Sequence, residues 1–300
     1  MIGKIEFPEG VTYNIRYITG GDFLGPGCEL EDLSYFYAHT KNTVIFPQFD
    51  TSKVTSMSSM FSNCSSLPSI PHLDTSKVTS MSYMFNGCSV LTSIPQLDTS
   101  NVKDMTSIFN GCKALTSIPQ LNTQNVTIMN NMFYGCTALT TIPQLDVSNV
   151  TGATNMFRDC RALTSIPDLN FTKLTGFGGG SSYSWLYGCS ALQSIGVIDC
   201  DANTNVGYGF GNSTNNNLTH LGGFRNLGKA SSVSNTNGTA FMAYAPNLTY
   251  ESVMNVINLL YDRAANGLST LTLKLHANHM ALLSDDDKAI ATNKGWSLTS

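Results

Sequence analysis

Leu73-Asp74-Thr75-Ser76-Lys77-Val78-Thr79-Ser80-Met81-Ser82-Tyr83-Met84-Phe85-Asn86-Gly87-Cys88-Ser89-Val90-Leu91-Thr92-Ser93-Ile94-Pro95-Gln96 is followed at once by a near copy that begins Leu97-Asp98-Thr99-Ser100. The same 24-residue step carries proline from Pro47 through Pro71, Pro95, Pro119 and Pro143 to Pro167, and cysteine from Cys64 through Cys88, Cys112 and Cys136 to Cys160. A fixed period of this length marks a solenoid, in which each small unit buries its apolar side only by stacking on its neighbours. Leu73, Val78, Met81, Met84, Phe85, Cys88, Leu91 and Ile94 stay apolar from copy to copy and define the core columns. The Leu-x-x-Ile-Pro run predicts a strand laddered in parallel on its copies and closed by proline where the chain turns. Met-x-x-Met-Phe has i, i+3, i+4 apolar spacing and predicts one turn of helix ending near Gly87. The fold class is therefore an α/β repeat solenoid of about six 24-residue rungs.

Working outward, the chain divides into three parts. Residues 1–47 form a capping or attachment segment with a degenerate first repeat: Phe36-Tyr37 and Phe46-Pro47 keep the register while Thr40 replaces the cysteine. Residues 48–199 are the regular solenoid, interrupted between Cys160 and Cys189 by five extra residues around Gly178-Gly179-Gly180-Ser181-Ser182, which predict a surface loop. Residues 200–300 hold an irregular rung and a small α+β cap. Asn203 to Asn217 is rich in Gly and Asn, Val253, Val256, Ile257 and Leu260 share a helix face, Leu271, Leu273 and Leu275 alternate as a strand, and Ser284 with Asp285, Asp286 and Asp287 caps a helix that stops at Lys294-Gly295.

Of the 300 residues, 42% are hydrophobic and only 12% charged, with net charge −4, so the surface is polar but nearly uncharged. Without a basic cluster the chain is not built for nucleic acid. No apolar run approaches the roughly 20 residues that span a bilayer, so membrane insertion is not expected. Met1 to Gly10 has no hydrophobic h-region, and Cys28 follows Gly25-Pro26-Gly27, so neither a signal peptide nor a lipid-anchored cysteine is expected, unless an export segment has been removed.

The unit from Leu97 to Pro119, Leu-Asp-Thr-Ser-Asn-Val-x-x-Met-x-x-x-Phe-x-Gly-Cys-x-x-Leu-x-x-Ile-Pro, resembles the repeat of the BspA-like leucine-rich repeat surface proteins, over about residues 49–199. Leu271-Thr272-Leu273-Lys274-Leu275 and Ala289-Ile290-Ala291-Thr292-Asn293-Lys294-Gly295-Trp296 resemble C-termini found on such repeats in gut Bacteroidales and in their phages and prophages. The resemblance implies a right-handed leucine-rich-repeat stack, no catalytic activity, and a role in adhesion or recognition. It brings no fixed ligand-binding motif to these positions.

Cys189 extends the cysteine column to six. Rungs of a parallel ladder lie about 4.8 Å apart, a Cα separation that a disulfide tolerates. Cys64 to Cys160, however, each stand between a Phe and a Leu of the core pattern, where a thiol serves as a small hydrophobe, and a straight column cannot wrap four sulfurs around one zinc. Reduced structural cysteines are the favoured reading over disulfides or metal, with Cys28 and Cys200 unassigned. A second column, Asp50, Asp74, Asp98 and Asp146 with Asn122 and Asn170, reads either as local side-chain-to-backbone turns or as a bound calcium column. Carboxylates so spaced repel by roughly 0.8 kcal/mol in water, which the asparagines relieve. His276 and His279 have metal-like spacing without a third ligand and read as surface residues. No nucleophile elbow, phosphate-cradling loop or metalloprotease histidine pair is present, and no cofactor is called for.

Variation is concentrated in two columns beside the cysteines: Ser62, Asn86, Asn110, Tyr134, Arg158, Tyr187 two residues before, and Ser65, Ser89, Lys113, Thr137, Arg161, Ser190 just after. Tyrosine and arginine are favoured at binding hot spots, so Tyr134, Arg158 and Tyr187, flanked by Lys113, Arg161 and the inserted loop with Tyr183, form the candidate contact surface; ordinary drift of exposed positions is the competing reading. Trp185 falls in the core column of Met60 and Met84, while Ser107 reads as an exposed position. Two roles follow: a phage virion-associated fibre or decoration protein that touches a bacterial surface and other virion proteins, assembled in the host cytoplasm, or a bacterial cell-surface adhesin. The partner in either case is a surface glycan or protein.

Overall fold

The computed structural model describes residues 31–39, 50–176, 185–202, 217–229 and 245–300. Cys28, Thr40, Phe46, Pro47, the Gly178-to-Ser182 insertion, Tyr183 and most of the Asn203-to-Asn217 stretch lie outside them.

Successive units stack through their backbones. Isolated parallel bridges link Asp32 to Ser56, Ser56 to Ser80, Ser80 to Asp104, Asp104 to Ile128 and Ile128 to Gly152. From each bridge a buried arc follows, and it is not the helical turn that its apolar spacing predicts. The N–H groups of Met84, Asn86 and Cys88 donate to the carbonyls of Met81, Tyr83 and Phe85 at 3.0 to 3.2 Å, three residues back. The alternate N–H groups, on Met81, Tyr83, Phe85 and Gly87, leave the rung and donate to Asp104, Thr106, Ile108 and Asn110 at 2.7 to 3.1 Å. Tyr83 and Gly87 have φ of 58° and 73°. A left-handed third residue is what a type II turn requires and a helix forbids. Two such turns in tandem, Met81–Met84 and Phe85–Cys88, point Met81, Met84, Phe85 and Cys88 inward, all fully buried. A helical turn would bury the same set, so periodicity alone cannot tell them apart. Ser107, expected to be exposed, is 1% exposed with φ of 54°.

The Leu-x-x-Ile-Pro run pairs more sparsely than a strand in every rung would. Thr92, Thr116, Thr140 and Thr164 each donate one N–H to the preceding copy, at 3.0 to 3.4 Å. Proline three residues on has no N–H to continue the ladder. The register Ile166↔Ile195↔Leu221 places Gly196 and then Gly222 in the proline column, and there strands appear: β1 (Ser165–Ile166), β2 (Ser194–Asp199) and β3 (His220–Arg225), a parallel sheet in the order β1-β2-β3. A side chain at Gly222 would put its Cβ 2.6 Å from the Val197 nitrogen, so only glycine allows this approach.

Inside the stack, Tyr37, Phe61, Phe85, Phe109, Phe133 and Phe157 form a column of near-parallel rings, 5.5 to 5.8 Å between centroids. Trp185 closes it edge-on to Phe157 at 5.0 Å. The cysteines beside it are free and buried, and they do more than fill space. Each Sγ lies 3.0 to 3.1 Å from the carbonyl oxygen of Tyr37, Phe61, Phe85, Phe109, Phe133 or Phe157 in the rung before, so the thiol donates across the rung boundary. From Phe61 to Phe157 that oxygen also accepts the N–H of its own rung's cysteine. The thiol thus satisfies a second lone pair in a dry core, a weak bond but one made where water cannot compete. Cys200 is buried and free as well.

At the far end α1 (Tyr250–Leu259) covers the outer edge of β3. Leu221 donates its N–H to Ser252 Oγ at 3.0 Å, and Thr249, the N-cap, donates its own to Thr219 at 3.0 Å. Beyond lie β4 (Leu271–Lys274), α2 (Ala277–Leu282), α3 (Asp285–Asn293) and β5 (Trp296–Thr299), with β4 and β5 paired in parallel. Ser284 and Asp287 form a capping box at α3. Arg263, 1% exposed, donates to the carbonyls of Ser269 and Gly228, and Lys294 Nζ to that of Asn258 at 2.6 Å, at the end of α1 where its carbonyls are unpaired. His279, expected at the surface, is fully buried in α2, and burial, with His276 beside it, holds its pKa below the ordinary value.

Leu115→Ala should cost about 2 to 5 kcal/mol, whereas the exposed Ser117→Ala should stay within about 0.5 kcal/mol. Thermal unfolding of both variants checks the register, and equal shifts would contradict it. The cysteine column makes a second prediction, about pH. Burial raises the thiols of Cys112 and Cys189 from 9.0 to about 12 and moves those of Cys88, Cys136 and Cys160 upward too. Folded thiols hold protons that unfolded ones lose, so their stabilisation is complete below pH 9 and disappears as pH climbs towards 12. Melting temperature should fall across that window and fall less in Cys112→Ser, while reductant or chelator at neutral pH leaves it unchanged.

Candidate functional site

Three consecutive rungs place Tyr134, Arg158 and Tyr187 on one line. Each follows a buried side chain, Phe133, Phe157 or Leu186, and so faces out. Their carbonyls accept the N–H groups of Gly111, Gly135 and Asp159 at 2.6 to 2.8 Å, which fixes the spacing of the line. The Arg158 guanidinium carbon lies 5.7 Å from the Tyr134 ring centroid and 5.0 Å from that of Tyr187. The arginine is thus held between two tyrosines, within cation–π range of both. Its Nε is also 3.7 Å from Asp159 Oδ2, with the two side chains 23% and 25% exposed, a pairing of small worth in partly wet surroundings. Asp159 takes the left-handed position (φ 60°) held by Gly87, Gly111 and Gly135 in earlier rungs. Charge thus enters this rung together at Arg158, Asp159 and Arg161, in a chain with little of it.

Lys113 and Arg161 are exposed in the next column, two rungs apart with Thr137 between. Among the described residues neither forms an ion pair. Tyr183 lies outside the described residues. Of the six candidates, the structure brings three into one cluster and leaves two beside it.

The acidic column resolves into corners. Asp50, Asp74, Asp98 and Asp146 each accept the N–H two residues on at 2.9 to 3.0 Å, and Asn122 does the same at 3.2 Å. The serine hydroxyl and N–H lower the pKa of all four acids. Asn170 differs: its oxygen accepts the Val147 N–H of the preceding rung. Among the described residues no group of three or more His, Cys, Asp or Glu is placed to hold a metal ion. Beside the corners runs an open groove of about 710 Å³ lined by Gln96, Asp98, Gln120, Asn122, Gln144 and Asp146. Its amides are occupied in stacking: Gln96, Gln120 and Gln144 donate to the carbonyls of Gln120, Gln144 and Asp168 at 2.6 to 2.7 Å.

Sequence reasoning passed over a second surface feature. Tyr35 and Tyr83 are 66% and 43% exposed and lie in one column with Ser59 between them. The signal was present in the repeat, since that column reads Tyr35, Ser59, Tyr83, Ser107, Asn131 and Asn155 while the next stays apolar.

No curated protein matches the chain. Among solved structures it is similar to the crystal structure of a T. pallidum leucine-rich repeat protein, at 20% identity over 57% of this chain and 74% of that one, with a TM-score of 0.39. It is also similar to that of a leucine-rich repeat protein from Bacteroides ovatus, at 17% identity over 64% of each chain, with a TM-score of 0.26. Residues 31–117 and 89–177, which together span the arcs and corners described above, match the model of the family described as "Mycoplasma protein of unknown function, DUF285".

Proposed function

We propose that this chain is a non-catalytic recognition protein whose repeats supply a rigid arm and whose Tyr134, Arg158 and Tyr187 edge makes the contact. The observation that carries the reading is the joining of three varying positions into one arginine–tyrosine cluster, on a scaffold whose core columns stay apolar. Drift would scatter side chains; here consecutive rungs contribute complementary ones. A rigid aromatic and arginine cluster costs little ordering entropy on binding. The favoured setting is a phage particle, as a fibre or decoration protein contacting a bacterial surface. The C-terminal resemblance to phage-borne copies supports it. The BspA-like repeat favours a second setting, the surface of a bacterial cell, with a host glycan or protein as ligand.

Labelled full-length chain applied to intact Bacteroidales cells tests the contact edge. Arg158→Ala and Tyr187→Ala should each weaken cell binding at least about tenfold with little change in melting temperature, and undiminished binding would remove this edge from consideration. Mass spectrometry of purified particles separates the settings. Presence in particles supports the virion arm, whereas absence from particles with presence on intact cells supports the adhesin.

A further inference from the structure

We infer that Tyr35, Ser59 and Tyr83 form a second binding site, for a neutral saccharide. Each lies three residues after a bridged residue, Asp32, Ser56 or Ser80, so the three stand on successive rungs of one column. All have left-handed backbones, with φ of 62°, 57° and 58°. Later rungs meet the same demand with Ser107, Asn131 and Asn155, at φ of 54° to 55°. Asparagine takes this conformation at low cost, but a bulky tyrosine is an outlier there.

Backbone outliers of this kind persist where the surrounding structure dictates them and cluster at ligand sites, and neither tyrosine is buried here. Tyr35 is 66% and Tyr83 43% exposed. Among the described residues neither side chain makes a hydrogen bond or ring contact. Ser59 between them is small and only 5% exposed, so the column is recessed there. The column therefore presents two aromatic side chains two rungs, about 10 Å, apart, with a recess at Ser59 between them.

The chemistry around the gap selects the ligand. Beside it runs a line of serine hydroxyls: Ser34 to Ser56 at 2.8 Å, Ser58 to Ser80 at 2.8 Å, and Ser82 to Ser58 at 3.1 Å. Hydroxyls that can each donate or accept suit a ligand made of hydroxyls. The nearby carboxylate of Asp32 is taken up by the Ser34 N–H at 2.7 Å, and the column itself carries no charge. A saccharide ring offers a C–H face to tyrosine and hydroxyls to serine, whereas an ionic or wholly apolar ligand would use only half of this surface. This site is independent of the Arg158 cluster, which lies on later rungs.

The test uses the full chain with cellohexaose, maltohexaose, mannohexaose and chitohexaose as probes, polygalacturonate as the acidic contrast, and Tyr35→Asn and Tyr83→Asn as variants, read by calorimetry and thermal unfolding. At least one neutral hexasaccharide should bind, each variant should bind it at least about tenfold more weakly, and melting temperature should hold or rise because asparagine accepts the left-handed backbone. Arg158→Ala should bind as the parent does. The proposal is overturned if no neutral probe binds, if only polygalacturonate binds, or if both variants bind as the parent does. A lowered melting temperature would also overturn it, because the tyrosines would then serve the fold.

Discussion

Every second N–H of the buried arc must find its acceptor in the next rung, and the rest of the structure follows from that division. A buried peptide group without a partner costs about as much as a lost hydrogen bond, so no rung can complete itself. Met81, Tyr83, Phe85 and Gly87 reach forward while Met84, Asn86 and Cys88 bond back within their own unit. The pattern demands a left-handed residue twice per arc, met mostly by Gly in the Gly87 column and by Ser, Asn or Tyr in the other. It also lines up the Phe carbonyls so that each can take a thiol from the rung after it. The cysteine is then the one small side chain that packs as a hydrophobe and still donates.

The same division separates stability from display. Side chains just before the second left-handed position of each arc, such as Tyr134, Arg158 and Tyr187, face outward, and the backbone that carries them is fixed on both sides. Arg158 and Asp159 enter one rung while the Asp159 N–H keeps its bond to the Tyr187 carbonyl of the next. Both surface clusters lie on this arc, the tyrosine pair on early rungs and the arginine sandwich on late ones. A ligand meeting either would find it already positioned. The opposite corners, by contrast, spend their amides, hydroxyls and carboxylates on holding rungs together, which is why the groove beside Gln120 reads as structure.

Much of this was legible in the sequence because a solenoid repeats its constraints. The 24-residue period carries the core columns, Trp185 among them, and marks the Asp-Thr-Ser positions that become corners. The arc was misread because tandem turns and a helical turn bury the same residues; Tyr83 and Ser107 at Gly-like positions carried no warning. The strand run was overread because proline's missing N–H limits the ladder until Gly196 and Gly222 replace it. Arg263 and His279 could not be seen as buried, since what covers them is distant in sequence. The Tyr134, Arg158 and Tyr187 edge was legible as a varying column, but not the stacking of its side chains on one another.

Residue-resolved amide hydrogen exchange on the middle rungs tests the arc most directly. Met105, Ser107, Phe109 and Gly111 donate to the next rung, and Ile108, Asn110 and Cys112 to their own. All seven should be protected to a similar degree and should open together, since neither set is complete without the other. If Met105 and Ser107 exchange at unprotected rates while Cys112 stays slow, the arc is a local helical turn with free first-turn N–H groups, and the forward ladder does not exist.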